Sequence, residues 1–503
     1  MGIVQKDAFR TMLISYIGIF LGYLNKGLLF LLVLSTEQIG LVNLIVSVGL
    51  LFAQFANMGT IYTTWKFLPY FKNEEKRHHG FLPLMLLIVC VGLLVCLLAT
   101  FLFQPQIVAL YKERSPWFVD YYYWMLPIGI SYVLFMLFEV YLRSFYKNLV
   151  SVISLEIVLR LLITALLVML WFRWLDFHAF VLLHSLTYLV PTLLLLVYLF
   201  SMNHFRFSWP NISVSRRFRK ILFQFSAFNY LNTLGVVLVN ALDVMMIAQF
   251  MGLQATGVYS TIVFLASALQ VPYKSILRIT SPMVADQWKQ RKFNEMKALY
   301  QKVSSVSMVI GFTGFIAVWV NIDFLFGFLK PEFQPGIWMF FFLMMGRLVD
   351  MYGGLNGSIF TTSKKYKYDI WFTLLLMGTV FSLNYILIPL WGISGAAIST
   401  SIALIAYNLI RIGFVYQAFR IHPFMRNQAI IFLLACCAIG TVMLVGFPLD
   451  NLWLNAVIRT ATGLLTFLAP IYFFNLEPET IAYVQNGISF LRKKKRTNFT
   501  GRH

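Results

Sequence analysis

Apolar runs of about twenty residues, separated by short basic segments, constrain this chain more than any other feature. That is the length a helix needs to cross the hydrocarbon of a bilayer. The runs do not alternate at every second residue, as the strands of a membrane barrel would. They lie near 11–34, 40–65, 81–103, 118–142, 149–171, 178–201, 221–249, 256–285, 303–326, 337–360, 369–389, 394–417, 428–447 and 453–474. The reading is an all-α polytopic membrane protein of 14 transmembrane helices. The first run is too long for a signal peptide, holds Lys26 and is followed by no small-residue cleavage site, so the N-terminus is expected to be retained. Composition excludes a soluble class: 60% of the residues are hydrophobic and 12% are charged, half the charge of an ordinary soluble domain, about 25%.

The charges give an orientation. Of the 40 basic residues, 29 fall in alternate segments, from Lys6 and Arg10 through Arg216, Arg217, Arg219 and Lys220 to the tail at Arg492 to Arg502. The other segments hold only Lys112, Arg114, Arg173 and Lys330. By the positive-inside rule both termini are expected in the cytoplasm. The net charge of +21 is then a topology signal, with a further attraction to anionic headgroups through RKKKR at 492–496, and nucleic acid is not an expected partner. Cys90, Cys96, Cys436 and Cys437 lie within spans and read as small apolar core residues, in no disulfide or metal spacing.

An internal repeat organises the chain. Ser35 to Leu41 closes the first span and opens the second; Gly252 to Val258 does the same for the seventh and eighth. Pairing Gly40 with Gly257 gives an offset of 217, and Asn73 to Lys76 resembles Asn294 to Lys297 at an offset of 221. Two six-helix lobes in the same orientation are expected, related by a pseudo-two-fold. The N-lobe is 1–215, the C-lobe 216–426, the two extra helices 427–476 and a basic cytoplasmic tail 477–503. Pro127, Pro191 and Pro272 are expected to interrupt their helices. Gly346, Gly353, Gly354 and Gly357 read as close helix packing.

Polar residues recur at helical spacing in the first two spans of each repeat. They are Thr11, Ser15, Gly22 and Lys26; Asn43, Ser47, Gln54 and Asn57; Asn229, Asn232, Thr233, Asn240 and Asp243; Ser260, Ser267, Gln270, Lys274 and Arg278. Under the offset Lys26 aligns with Asp243 and Asn57 with Lys274. Interhelical hydrogen bonds in a dry bundle would explain one stripe. Four in related positions favour a single water-accessible cavity. An aspartate within a span marks a functional position by default. Glu156 with Arg160, and Asp350 with Arg347, are spaced to neutralise each other. Arg411 is expected to snorkel. Lys274 and Arg278, with no acid on their own face, are the candidates for binding an anion, phosphate above all. Gln270, Asn57, Gln54, Asn232 and Asn240 are the expected polar lining. Lys26 and Asp243 are expected to serve as a gate or a coupling site, by pairing or by binding substrate or cation. No catalytic residue, ATP-binding loop, HExxH or CxxC is found. Asn211 to Ser213 is a formal glycosylation triplet in a cytoplasmic loop, read as chance.

The run Asp243-Val244-Met245-Met246-Ile247-Ala248, with Gly252 and Gly257-Val258-Tyr259-Ser260, resembles the start of the second lobe in polysaccharide flippases. These are the Wzx type of the multidrug/oligosaccharidyl-lipid/polysaccharide (MOP) exporter superfamily. The resemblance implies export of an undecaprenyl-pyrophosphate-linked oligosaccharide by alternating access, for O-antigen, capsule or exopolysaccharide synthesis. It implies residence in the bacterial cytoplasmic membrane beside glycosyltransferases and a glycan polymerase. Other readings are a cation-coupled drug exporter with Asp243 as the ion site, a lipid II flippase and a polysaccharide polymerase. Drug exporters usually have twelve helices and acidic cavities. Lipid II flippases carry a basic cluster in the first helix, reduced here to Lys26 and Arg10. Polymerases have a large external loop that this chain lacks. No cofactor is expected, and coupling to H+ or Na+ stays open.

Overall fold

The computed structural model describes residues 3–71, 80–145, 147–202, 216–445 and 451–478. The basic tail from 479 onward, the repeat piece at 73–76 and the triplet at 211–213 lie outside them. Among the described residues the regular structure is helical, without strands. The longer helices are α1 (Leu13–Val33), α2 (Thr36–Ala56), α3 (Phe81–Leu102), α4 (Tyr122–Ser144), α5 (Leu149–Trp171), α6 (Phe177–Ser201), α7 (Arg216–Phe250), α8 (Leu253–Gln290) and α9 (Phe293–Trp319). They continue with α10 (Gly336–Gly353), α11 (Tyr366–Phe419), α12 (Arg426–Val445) and α13 (Leu452–Phe473). Twelve of them, all but α10, are long and apolar enough to cross a membrane.

At 1.5 Å per residue, the 54 residues of α11 would make a rod of about 80 Å, far beyond the ~30 Å of hydrocarbon. The chain breaks instead at Gly392, at φ 59° and ψ −140°, where a side chain is disfavoured. Gly395 then comes against the backbone of Leu387, so the chain doubles back between the expected spans 369–389 and 394–417. The expected span 337–360 appears as α10 followed by the short helix Asn356–Thr362.

The prolines act where the sequence places them. Each removes a backbone donor and crowds the carbonyl four residues earlier. Pro127 follows a 3-10 turn at Tyr122–Trp124. Pro191 follows a break at Tyr188 between Phe177–Thr187 and Leu189–Ser201. Pro272 follows a 3-10 turn at Ala268–Gln270. Two further irregularities are π-helical: Leu24–Leu29, which contains Lys26, and Ser154–Val158, which contains Glu156.

The chain divides into two compact units, Met1–Leu265 with Met377–Ala396, and Ala266–Leu376 with Ala397–His503. The first has a core of Phe52, Phe67, Phe81, Phe138, Tyr141 and Leu199. The second is centred on Met296, Tyr300, Ile359, Phe360 and Val415. In the second unit three of the four glycines in and after α10 allow close approach, and at Gly357 the nearest atoms, of Arg411, stand at 3.4 Å. Gly346 meets Ser401, Gly353 meets Asn408 and Gly354 meets Ser304. The cysteines depart from expectation: Cys90, Cys436 and Cys437 are exposed and Cys96 is half-buried. Small apolar side chains sit as readily against lipid as in a core, so an apolar span does not say which way a cysteine faces.

Candidate functional site

In the first unit the two copies of the repeated motif meet at the start of α2 and α8. Ser35 caps α2: its hydroxyl accepts from the Gln38 amide at 3.2 Å, and the Gln38 side chain accepts from the Ser35 amide at 2.9 Å. This reciprocal box fixes where α2 begins. Four residues into each helix comes a glycine, and the two touch. A Cβ built on Gly40 would fall on the carbonyl of Leu253 and 2.9 Å from the amide nitrogen of Gly257. A Cβ on Gly257 would fall on the carbonyl of Thr36 and 3.1 Å from the amide nitrogen of Gly40. Thr36 and Leu253 are themselves 217 apart, as are Gly40 and Gly257. The contact is reciprocal, with each copy of the motif meeting the other.

The two charges aligned by the same offset are each tied to the second helix of their own repeat. Lys26, exposed on the π-helical turn of α1, donates to Asn43 Oδ1 on α2 at 3.1 Å and lies 6.0 Å from the Phe264 ring. Asp243, 5% exposed on α7, accepts from the Tyr259 hydroxyl on α8 at 2.5 Å. Its other oxygen accepts from Asn384 Nδ2 at 2.6 Å. Lys26 and Asp243 therefore sit in separate hydrogen-bond sets. Asn384, a lone amide in an apolar run, carried no periodic signal and escaped the sequence reading.

The amides of the stripes are mostly engaged locally. Asn57 donates to the Gln54 carbonyl at 2.8 Å and accepts from the Gly59 amide at 2.8 Å. It thereby holds the turn at Met58 and Gly59, both at positive φ, which separates α2 from the helix Thr60–Phe71. Gln54 is buried beside it. Asn240, exposed, donates back to the Val236 carbonyl at 2.9 Å. Asn232 is half-buried on α7. Beneath it Thr233 bonds Tyr62, and Ser226 bonds Thr63 at 2.5 Å. The expected pair Glu156 and Arg160 is present at 2.5 Å. Arg160 also donates to the Gly18 carbonyl, and its own carbonyl accepts from Asn25 at 2.8 Å, so the pair binds α5 to α1.

The second unit holds a chain of polar groups among α8, α10, α11 and the short helix Asn356–Thr362. Arg347 donates to Gln270 Oε1 at 2.7 Å, and Gln270 Nε2 donates to Asp350 Oδ2 at 3.0 Å. Asn408 donates to Asp350 Oδ1 at 3.1 Å and accepts from Asn356 at 3.0 Å. Gln270 thus bridges Arg347 and Asp350, the two residues that the sequence spacing pairs. Lys274 and Arg278 are exposed one turn apart on α8. The charges acting on Lys274 are Arg347, Asp350 and Arg278, so an acid from α10 acts on it although none lies on its own face of α8. Arg411 does not snorkel: it is 8% exposed and paired with Asp369 at 2.9 Å. No group of acids, histidines or cysteines able to hold a metal occurs among the described residues.

Twelve helices long and apolar enough to cross a bilayer define the class of polytopic membrane proteins. Three solved structures share the fold. A lipid II flippase, MurJ, in an inward closed conformation aligns with a TM-score of 0.69 at 14% identity, covering 93% of this chain and 99% of that one. An inward-facing multidrug resistance transporter of the MATE family and MOP superfamily aligns at 0.63 and 12%, covering 88% and 100%. A MOP superfamily transporter from Pyrococcus furiosus, described by the reverse polarity of its binding pocket, aligns at 0.53 and 13%, covering 88% and 97%. No curated protein sequence matches the chain. Residues 4–288 match the model of the polysaccharide biosynthesis protein family, and the chain belongs to that family.

Proposed function

We propose that the chain flips an undecaprenyl-pyrophosphate-linked oligosaccharide from the cytoplasmic to the outer leaflet of a bacterial cytoplasmic membrane. In this reading fourteen spans form two six-helix lobes and two added helices, with both termini in the cytoplasm. The lobes rock about a polar cavity that holds sugars and pyrophosphate while the lipid tail stays in the bilayer. The observation that carries the reading is the exposed pair Lys274 and Arg278 in a polysaccharide biosynthesis protein. Ammonium and guanidinium groups make charge-assisted hydrogen bonds to phosphate oxygens. Asp350 is held by Gln270 and Asn408, so it tempers the cluster from a fixed position. An anion leaving a cell that is negative inside gains about 2.3 kcal/mol per charge per 100 mV, so no ATP site is required. Glycosyltransferases and a glycan polymerase are the expected neighbours.

Replacing Lys274 and Arg278 together with Gln tests this. Appearance of the lipid-linked glycan on the outer leaflet should stop while protein abundance stays at the wild-type level. Export that survives the double change removes the pair from the anion site. A second reading, a cation-coupled exporter, is favoured by Asp243, whose buried carboxylate holds two hydrogen bonds within the bundle. It predicts that Asp243→Asn abolishes transport driven by an imposed H+ or Na+ gradient and that export continues after Lys274 and Arg278 are neutralised.

A further inference from the structure

A groove runs between α1 and the end of α5, apart from the polar sites. It is lined by Leu29, Leu32 and Val33 on one side and by Leu167, Val168, Trp171 and Phe172 on the other, around a cavity of about 230 Å³. Every lining side chain is apolar or aromatic. The volume falls below the roughly 300–1,000 Å³ of pockets that enclose a compact small molecule. Leu32, Val168 and Trp171 are 55%, 40% and 56% exposed, so the groove opens sideways, toward what would be lipid in a membrane.

The rim supplies the second observation. After Trp171 the chain turns through Arg173 at φ 60°, closed by bonds from the Arg173 amide to the Leu170 carbonyl at 3.0 Å and from the Trp174 amide to the Met169 carbonyl at 2.9 Å. The turn presents Phe172, Arg173 and Trp174, all exposed, with the two rings stacked at 5.7 Å. Amphipathic aromatic rings at the end of a span sit at headgroup level. Arg173 makes no ion pair among the described residues, and the nearby Asp176 caps α6 by accepting from the Ala179 amide at 2.9 Å.

We propose that this groove seats one hydrocarbon chain of an anionic membrane phospholipid whose phosphate is held by Arg173. Apolar walls suit the chain, the indole and phenyl rings mark the depth of the glycerol region, and a planar guanidinium donates two hydrogen bonds to a phosphate. The charge at the rim is what separates this site from general lipid contact.

Native mass spectrometry of the full chain in detergent tests it, with phosphatidylglycerol and phosphatidylcholine offered at equal concentration. The wild type should retain phosphatidylglycerol several-fold better. Arg173→Gln should bring the two lipids level. Leu32→Trp, filling the groove, should reduce retention of both, and Val168→Trp should repeat the effect from the opposite wall should the first variant fail to fold. Equal retention of the two lipids by the wild type overturns the proposal, as does a phosphatidylglycerol adduct that survives both the rim and the groove substitutions.

Discussion

Asp243 and Lys26 show what a single residue can and cannot reveal. Both stood out in the sequence because an ionisable group within an apolar span is expensive. Their alignment at an offset of 217 follows from the same residues that form the α2–α8 contact. The partners were not legible: Tyr259 and Asn384 reach Asp243 from other helices, and a one-dimensional pattern carries no record of which helix lies opposite. We propose that the two charges pair as part of an external gate when the cavity opens inward. Lys26→Asp combined with Asp243→Lys should then recover much of the export lost in each single variant, measured as glycan reaching the outer leaflet. A double variant no better than the worse single one removes the gate. Arg160 gives a prediction about stability. Arg160→Gln strands Glu156 and frees the Gly18 carbonyl, and hydrogen bonds to charged groups contribute about 1.5–3 kcal/mol each. Thermal unfolding in detergent should show a lowered midpoint, partly restored by adding Glu156→Gln.

At the scale of the element, the helices were legible wherever the chain itself interrupts them. Prolines at 127, 191 and 272 each follow a turn that departs from α-helix, because the lost donor and the crowded carbonyl act within one turn. Gly392 was harder to read, since the doubling back depends on a conformation that glycine permits and does not demand. The α2–α8 crossing makes its own prediction. Ala at either Gly40 or Gly257 sets a methyl group on a backbone carbonyl, so the helices must separate. Each single substitution should destabilise by about 1–3 kcal/mol, and the two costs should be alike. The double substitution should cost less than their sum, because one separation relieves both clashes. Chemical or thermal unfolding of the three variants would show it, and strict additivity would mean that the two glycines act independently.

For the whole molecule, the class was the most legible property, because the hydrophobic length of a span is set by the bilayer and not by the fold. The two compact units were less legible: they take Met377–Ala396 from the middle of α11 into the first unit, and no shift of composition marks those boundaries. Nor did spacing reveal the polar chain from Arg347 to Asn356, since its order depends on four helices meeting. The proposed orientation has a direct test. In a background without Cys90, Cys96, Cys436 and Cys437, single cysteines at Lys365 and at Asn451, both exposed, should react with impermeant thiol reagents from opposite sides, Asn451 from outside. Labelling of both from one side would overturn the fourteen-span arrangement.

The reciprocal contact between Gly40 and Gly257 has a consequence for how the two halves of the chain can diverge. Were the halves separate identical chains, this crossing would be the self-complementary patch of a symmetric dimer, lying on its two-fold axis. A change in such a dimer appears twice and meets its own image. Joined in one polypeptide, each half can vary alone, as Lys26 and Asp243 have done by taking opposite charge. The residues on the axis have no such freedom. The Leu253 carbonyl fills the space that a side chain on Gly40 would need, and the Thr36 carbonyl fills the matching space at Gly257, so a larger residue in either half is met by the backbone of the other.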